Sequence, residues 1–266
     1  MQDTTQNNNT VLHCDGIVMR FGGLVAVNDF HLKLLKSELV GLIGPNGAGK
    51  TTVFNMITGV YTPTEQEIYF YGENISGLKP HLITAKGIAR TFQNIRLFGS
   101  LPVLDNIMLA QHLRVKSDPL SAVFRLPWYT REEKYIYEDS MQLLHAVGLK
   151  ARAKERADSL PYGEQRRLEI ARALATKPKL LLLDEPAAGM NPQETEDLMR
   201  FIQKILQDFD LTILLIEHDM KVVMGICERI LVLDYGVTIA EGVAEEIQNN
   251  PKVIEAYLGA GADAFN

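Results

Sequence analysis

The stretch Gly44-Pro45-Asn46-Gly47-Ala48-Gly49-Lys50-Thr51-Thr52 carries the most specific chemistry in the chain. It follows the apolar run LVGLI (39–43) and precedes VFNMITG, which has a helical composition. The spacing G-x-x-x-x-G-K-[ST] between a strand and a helix is suited to phosphate. Glycines let the main chain turn its N–H groups onto phosphate oxygens. The helix N-terminus adds the positive end of its dipole. An ammonium at Lys50 suits the β- and γ-phosphates, and a hydroxyl at Thr51 suits Mg²⁺. Thr52 is read as facing phosphate too.

The second group is Leu180-Leu181-Leu182-Leu183-Asp184-Glu185-Pro186. Here an apolar strand delivers two carboxylates at its C-terminal end, where open α/β sheets bind ligands. Asp184 suits Mg²⁺ held through water. Glu185 suits orienting or deprotonating an attacking water. Alone, the pair reads equally well as solvated acids. The phosphate loop favours the chemical reading. His218, in IEHD after a third apolar run, can reach a γ-phosphate edge and hold a water in line. Gln93, in TFQN, offers an amide to Mg²⁺ and water. Phe21, before Gly22-Gly23, can stack on adenine or can be a core aromatic of a strand. Arg90 and Arg96 flank Gln93 and read as surface charge.

A further stretch, Leu160-Pro161-Tyr162-Gly163-Glu164-Gln165-Arg166-Arg167, opens a helix with Leu168, Ala171 and Leu174 on one face. Proline suits a first helical turn. Arg166 and Arg167 bring charge of the wrong sign to a helix N-terminus. Either a phosphate docks nearby or the two lie on a solvated face.

These residues need a frame. The runs 39–43, 180–184, 212–217 and 230–234 read as buried strands, the last three separated by helical lengths. That predicts a mostly parallel sheet with covering helices. Segments 11–35 and 66–75 alternate more and predict a smaller antiparallel sheet. Residues 100–160 hold charged helical stretches around the irregular VKSDPLSAVFRLPWY. They predict a helical subdomain inserted into an α/β core.

Over 266 residues the chain is 46% hydrophobic and 23% charged, with a net charge of −6. That gives no electrostatic footprint for nucleic acid. Cys14 and Cys227 lie far apart, outside any CxxC spacing, and read as plain buried residues in a reduced compartment. No apolar run approaches the roughly 20 residues that span a bilayer. MQDTTQNNNT, residues 1–10, reads as a disordered leader without a signal peptide's apolar core. The chain is expected in the cytosol, with any membrane association made through a partner.

The ordered set of aromatic, phosphate loop, glutamine loop, helical insert, signature, acidic strand end and histidine resembles the nucleotide-binding subunit of ABC transporters. The resemblance covers about residues 11–258. MRFGGLVAVND (19–29), RTFQNIRLF (90–98), DEPAAGMNP (184–192), IEHDMKVVMGICERI (216–230) and NNPKVIEAYLG (249–259) are closer still to the ATP-binding subunits of branched-chain amino-acid uptake systems. The resemblance implies an α/β fold: a P-loop NTPase with a RecA-like core (11–95 and 166–258), an antiparallel β subdomain and an inserted α-helical subdomain (about 96–165). A tail follows at 259–266.

It also implies an ATP-hydrolysing motor that uses Mg²⁺. Two such subunits would close head-to-tail over two ATP molecules. Each ATP would lie between one subunit's Gly44–Thr52 loop and the partner's Leu160, Pro161, Tyr162, Gly163 and Glu164. Asn191 would hydrogen-bond across that dimer, whose second ATPase subunit would be another copy of this chain or, as the resemblance favours, a related chain. Two transmembrane permease subunits would anchor the pair at the cytoplasmic side of the membrane, near Gln93 to Asn106. A solute-binding protein would deliver leucine, isoleucine or valine. No nucleic acid is implied.

Three positions depart from the family pattern: Pro161 where serine is usual, Asn191 where aspartate is usual, and Glu65-Gln66 where a glycine is usual. Two rival readings are a soluble ABC ATPase without a transporter and a nucleotide-dependent module without hydrolysis. A single cassette without long heptads argues against the first. The presence of Glu185, His218 and Gln93 together argues against the second.

Overall fold

The computed structural model describes residues 9–111 and 127–258. The chain divides into two compact units, Met1–Arg90 with Lys179–Asn266, and Thr91–Pro178. The first unit opens with β1 (Thr10–Phe21), β2 (Leu24–Leu35), β3 (Leu39–Ile43) and α1 (Lys50–Ile57). It continues through β4 (Ile68–Phe70), β5 (Glu73–Asn74), α2 (Pro80–Lys86) and β6 (Ile88–Arg90). The second unit holds α3 (Val103–Gln111), α4 (Pro127–Ala146), two short 3₁₀ turns and α5 (Tyr162–Leu174). The chain then returns to the first unit with β7 (Leu180–Asp184), α6 (Pro192–Asp208), β8 (Thr212–Ile216), α7 (Met220–Ile226), β9 (Arg229–Asp234) and β10 (Val237–Gly242). Helices α8 (Ala244–Gln248) and α9 (Pro251–Leu258) close the described chain.

In the first unit the large sheet runs β10-β9-β3-β8-β7-β6. Its pairings are parallel except for antiparallel β10. The small sheet, β2-β1-β4-β5, is antiparallel throughout. Strands β3, β7 and β8 are buried along their whole length, which is why they read as unbroken apolar runs. The core joins Leu12, Phe30 and Leu34 of the small sheet to Val40, Leu182, Leu214 and Leu231 of the large one, with Phe54 of α1 between them.

Strands β6 and β10 were not predicted. β6 has only three residues, too few to show a period. β10 is an edge strand carrying Thr238, Glu241 and Gly242, and no residue of it is fully buried. The leader was also drawn too long: Thr10 pairs with Leu35, and the Asn9 carbonyl accepts from the Lys36 amide at 2.9 Å. Residues 1–8, the tail 259–266 and most of VKSDPLSAVFRLPWY lie outside the described residues. The last three residues of that stretch open α4 and are helical, not irregular. At the missing glycine, Gln66 adopts the left-handed conformation itself, with φ +64°. The turn is therefore kept, at a steric cost glycine would avoid.

In the second unit α5 buries Leu168, Ala171 and Leu174, the predicted apolar face. Gln111 of α3 donates to Ser140 of α4 at 3.1 Å. Asn106 is fully buried and bonded to the main chain of Phe98 and Pro102, so its own side chain faces no docking partner.

Candidate functional site

Strand β3 ends in the phosphate-type loop. Gly44, Gly47 and Gly49 take φ values of +148°, +83° and +105°. At Gly44 a Cβ would stand 1.9 Å from the Leu233 carbonyl oxygen, so no side chain fits. Gly49 is the N-cap of α1, and no side chain caps that helix. The first-turn N–H groups of α1 therefore face away from any side-chain acceptor, which suits an anion. The Lys50 side chain folds back under the loop. Its Nζ donates to the carbonyls of Gly44 at 2.6 Å and Pro45 at 2.9 Å. Burial pushes its ammonium below the usual lysine range, while the nearby Glu185 and Asp184 carboxylates oppose that. Asn46 and Gly47 are exposed, Ala48 is buried, and Thr51 is exposed with Thr52 half-buried behind it. This cradle fits a phosphate chain.

Strand β7 delivers Asp184 and Glu185 together. Asp184 is buried, and its Oδ2 accepts from Arg90 Nη2 at 2.5 Å. Arg90 also donates to Asn55 at 2.7 Å and stacks over Phe54. Arg90 is therefore not a surface charge. It orients the carboxylate from the edge strand β6. Arg96 does keep an exposed position, stacked 4.0 Å over Phe92. Glu185 sits at φ +45°, a strained conformation fixed by its amide donating to Ile216 at 2.8 Å. That turn brings Glu185 Oε2 to 3.4 Å from His218 Nδ1. Behind them lies Glu217, fully buried, whose carboxylate accepts from the amides of Ala187 at 2.7 Å and His218 at 3.2 Å. Burial pushes its carboxyl above the usual range. Glu217 thus stitches the loop after β7 to the loop after β8. Sequence reasoning missed it. Its one signal was an acid continuing a buried strand, which requires partners.

Among the described residues no group of three or more His, Cys, Asp or Glu side chains is arranged to hold a metal ion. A Thr51 hydroxyl and an Asp184 carboxylate beside such a loop instead fit a hard cation that takes most of its ligands from phosphate and water.

Phe21 ends β1. Its ring is 40% exposed and packs edge-on against Tyr61, with centroids 5.1 Å apart. It is neither a buried core aromatic nor free to turn, and it presents a face to solvent. Asn191 caps α6: its Oδ1 accepts from the amides of Gln193 and Glu194 at 3.0 Å each, and Glu194 returns a bond to the Asn191 amide. Cys14 and Cys227 are buried free thiols, as expected; burial pushes Cys14 up to about 12.

The second unit contains Gln93 and the signature stretch. Gln93 has an exposed side chain. Leu160 is buried, Pro161 is exposed as the N-cap of α5, and no side chain caps that helix. Tyr162 is 40% exposed, and its hydroxyl accepts from Arg166 at 3.3 Å. Gly163 follows half-buried, and Glu164 pairs with Arg152 at 3.3 Å. Arg166 contradicts both readings offered for it. It is fully buried, and it bonds to Glu169 and to the main chain of the Gln93 loop. No helix of the described residues is long and apolar enough to cross a membrane.

A glycine cradle at a β3–α1 junction, with paired acids and a histidine on neighbouring parallel strands, defines a P-loop nucleotide-binding cassette. The ABC transporter family model matches residues 27–188, and the one described as branched-chain amino acid ATP-binding cassette transporter matches residues 237–263. The chain is 49% identical over 249 residues to the high-affinity branched-chain amino acid transport ATP-binding protein BraF of Pseudomonas aeruginosa, spanning 94% of this chain and 98% of that protein. It is 47% identical to LivG of Escherichia coli K12, a protein of the same description, with the same coverage. Among solved structures it resembles the ADP conformation of MJ1267, an ATP-binding cassette of an ABC transporter. That match has a TM-score of 0.82 and 31% identity, over 94% of this chain and 99% of that one. The chain belongs to the ABC transporter family and, within it, to the branched-chain amino acid ATP-binding cassette group.

Proposed function

We propose that this chain is the ATP-hydrolysing subunit of an importer for leucine, isoleucine and valine. The observation that carries the hydrolytic part is the strand-end cluster, in which strained Glu185 meets His218 at 3.4 Å above buried Glu217. The substrate class rests on the printed descriptions of BraF and LivG. The cassette extends from Thr10, which opens β1, to residue 258. Its helical part, about 96–165, lies inside the second compact unit.

In this reading Gly44 to Thr52 bind the phosphates of ATP, and Lys50 exchanges its two loop carbonyls for β- and γ-phosphate oxygens. Phe21 lies against adenine. Magnesium, when bound, neutralises phosphate charge, and Thr51 and Asp184 would hold it; Gln93 reports on metal and water. Glu185 takes the proton of the attacking water, His218 keeps that water in line, and ADP and phosphate leave. Leu160 to Glu164 offer the uncapped start of α5 to ATP on a second, related subunit. Asn191 contributes at the same interface through its amide nitrogen, because its oxygen caps α6. Two permease subunits hold the pair at the cytoplasmic face of the membrane, and a solute-binding protein serves them from the other side.

The test is ATP turnover by the transporter assembled with its permeases. Glu185→Gln is expected to lose at least about 100-fold in kcat with ATP binding retained. Equal turnover in the two proteins would overturn the hydrolytic assignment.

A further inference from the structure

Within the second unit, the loop from Phe92 to Arg96 is fastened to α5 at three main-chain points. Arg166 donates through Nη1 to the Phe92 carbonyl and through Nη2 to the Gln93 carbonyl, each at 2.7 Å. Its Nη1 also meets Glu169 Oε2 at 2.7 Å. The other oxygen of Glu169 accepts the Arg96 amide at 3.0 Å. The side chains of Arg166 and Glu169 are 0% and 2% exposed. Stability alone does not explain such a pair, because buried ion pairs are often replaced by apolar residues without loss. What a planar guanidinium adds is direction: its rigid fork holds two carbonyls and a carboxylate in one fixed plane, whereas a lysine ammonium is a point charge on a flexible stem. The main chain of the loop is therefore held while the Gln93 side chain stays exposed. The same Nη2 lies 3.3 Å from the Tyr162 hydroxyl, in the first turn of α5.

We infer that Arg166 is a positioning residue that makes the Gln93 loop and the start of α5 one mechanical piece. Gln93 and the Leu160–Glu164 stretch then keep a fixed relation to each other and move as one body. The catalytic consequence rests on the proposed role of Gln93 toward metal and water; the clamp itself does not.

The experiment uses the assembled transporter carrying Arg166→Lys, which keeps the charge facing Glu169 but lacks the rigid fork that holds both carbonyls and the carboxylate together. Amide hydrogen exchange over residues 91–96 is expected to quicken at least about tenfold, with the buried face of α5 unchanged. The kcat for ATP is expected to fall about tenfold with KM within about twofold, and the same change made in a Gln93→Ala background is expected to alter kcat less than about twofold. If Arg166→Lys does not assemble, Glu169→Gln, which keeps shape and an acceptor oxygen, is read the same way, with exchange at residues 94–96 quickened about threefold. Unchanged exchange at 91–96, or exchange raised equally through α3, α4 and α5, overturns the clamp. A kcat loss that persists in the Gln93→Ala background overturns its action through Gln93. Should Gln93→Ala alone turn over like wild type, the reading of Gln93 fails, and exchange alone decides the clamp.

Discussion

Pro161 stands at the N-cap of α5 with φ −54° and ψ 152°, backbone values that suit proline. The general signature pattern has a serine there, and this chain has no hydroxyl at that position. What remains are the first-turn amides of α5 and the dipole behind them, an anion-binding arrangement in its own right. The Tyr162 oxygen accepts from Arg166, which ties the hydroxyl to the body of α5. In the proposed nucleotide sandwich the contact would then be made by the main chain. Pro161→Ser in the assembled transporter is expected to turn over ATP at or above the wild-type rate, with apparent ATP affinity tighter by at most about tenfold. A severalfold loss would mean that the helix start requires proline. At this scale much was legible. Lys50, Asp184, Glu185 and His218 announced themselves by type and neighbours. Arg90 and Arg166 did not: Arg90's partners lie far along the chain, and although Glu169 stands at helical spacing from Arg166, the carbonyls of Phe92 and Gln93 do not.

Among the elements, α6 shows how a substitution at one residue acts through a helix. Asn191 forms a full capping box with Glu194, and Pro192 follows at the first helical position. The apolar stripe Leu198, Phe201, Ile202 and Ile205 is buried beneath it. Removing the cap by Asn191→Ala should cost about 1 kcal/mol. For a chain of this size that lowers Tm by about 2–4 °C, read by thermal unfolding of the isolated chain. Asn191→Asp should hold Tm or raise it slightly, since a charge at the N-terminus also meets the dipole. A larger loss for Asp than for Ala would contradict the capping account. The long elements were legible because their burial is periodic or complete. β6 was not: three residues become a strand only because Leu180 to Leu182 offer a ladder to pair with.

At the scale of the whole molecule, the described residues include a glycine cradle before α1 and, at α5, a helix start that no side chain caps. A head-to-tail pair would bring each to the other's complement. With ATP bound and hydrolysis blocked by Glu185→Gln, light scattering is expected to show the mass of a dimer when the related second ATPase subunit is added, and a monomer with ADP. A monomer under both conditions would contradict the nucleotide sandwich.

The sequence by itself determined whatever depends on chain neighbours. The glycines between β3 and α1, the acids closing β7 and the apolar face of α5 follow from local sterics and period. Tertiary structure alone decided which charges could be buried. Arg90 reaches Asp184 across 94 residues, Arg166 reaches Phe92 across 74, and Glu217 reaches Ala187 across 30. A buried charge is tolerable only with its partner in place. For these long-range contacts the partner is chosen by strand order and helix packing, and it leaves no spacing in the sequence to read.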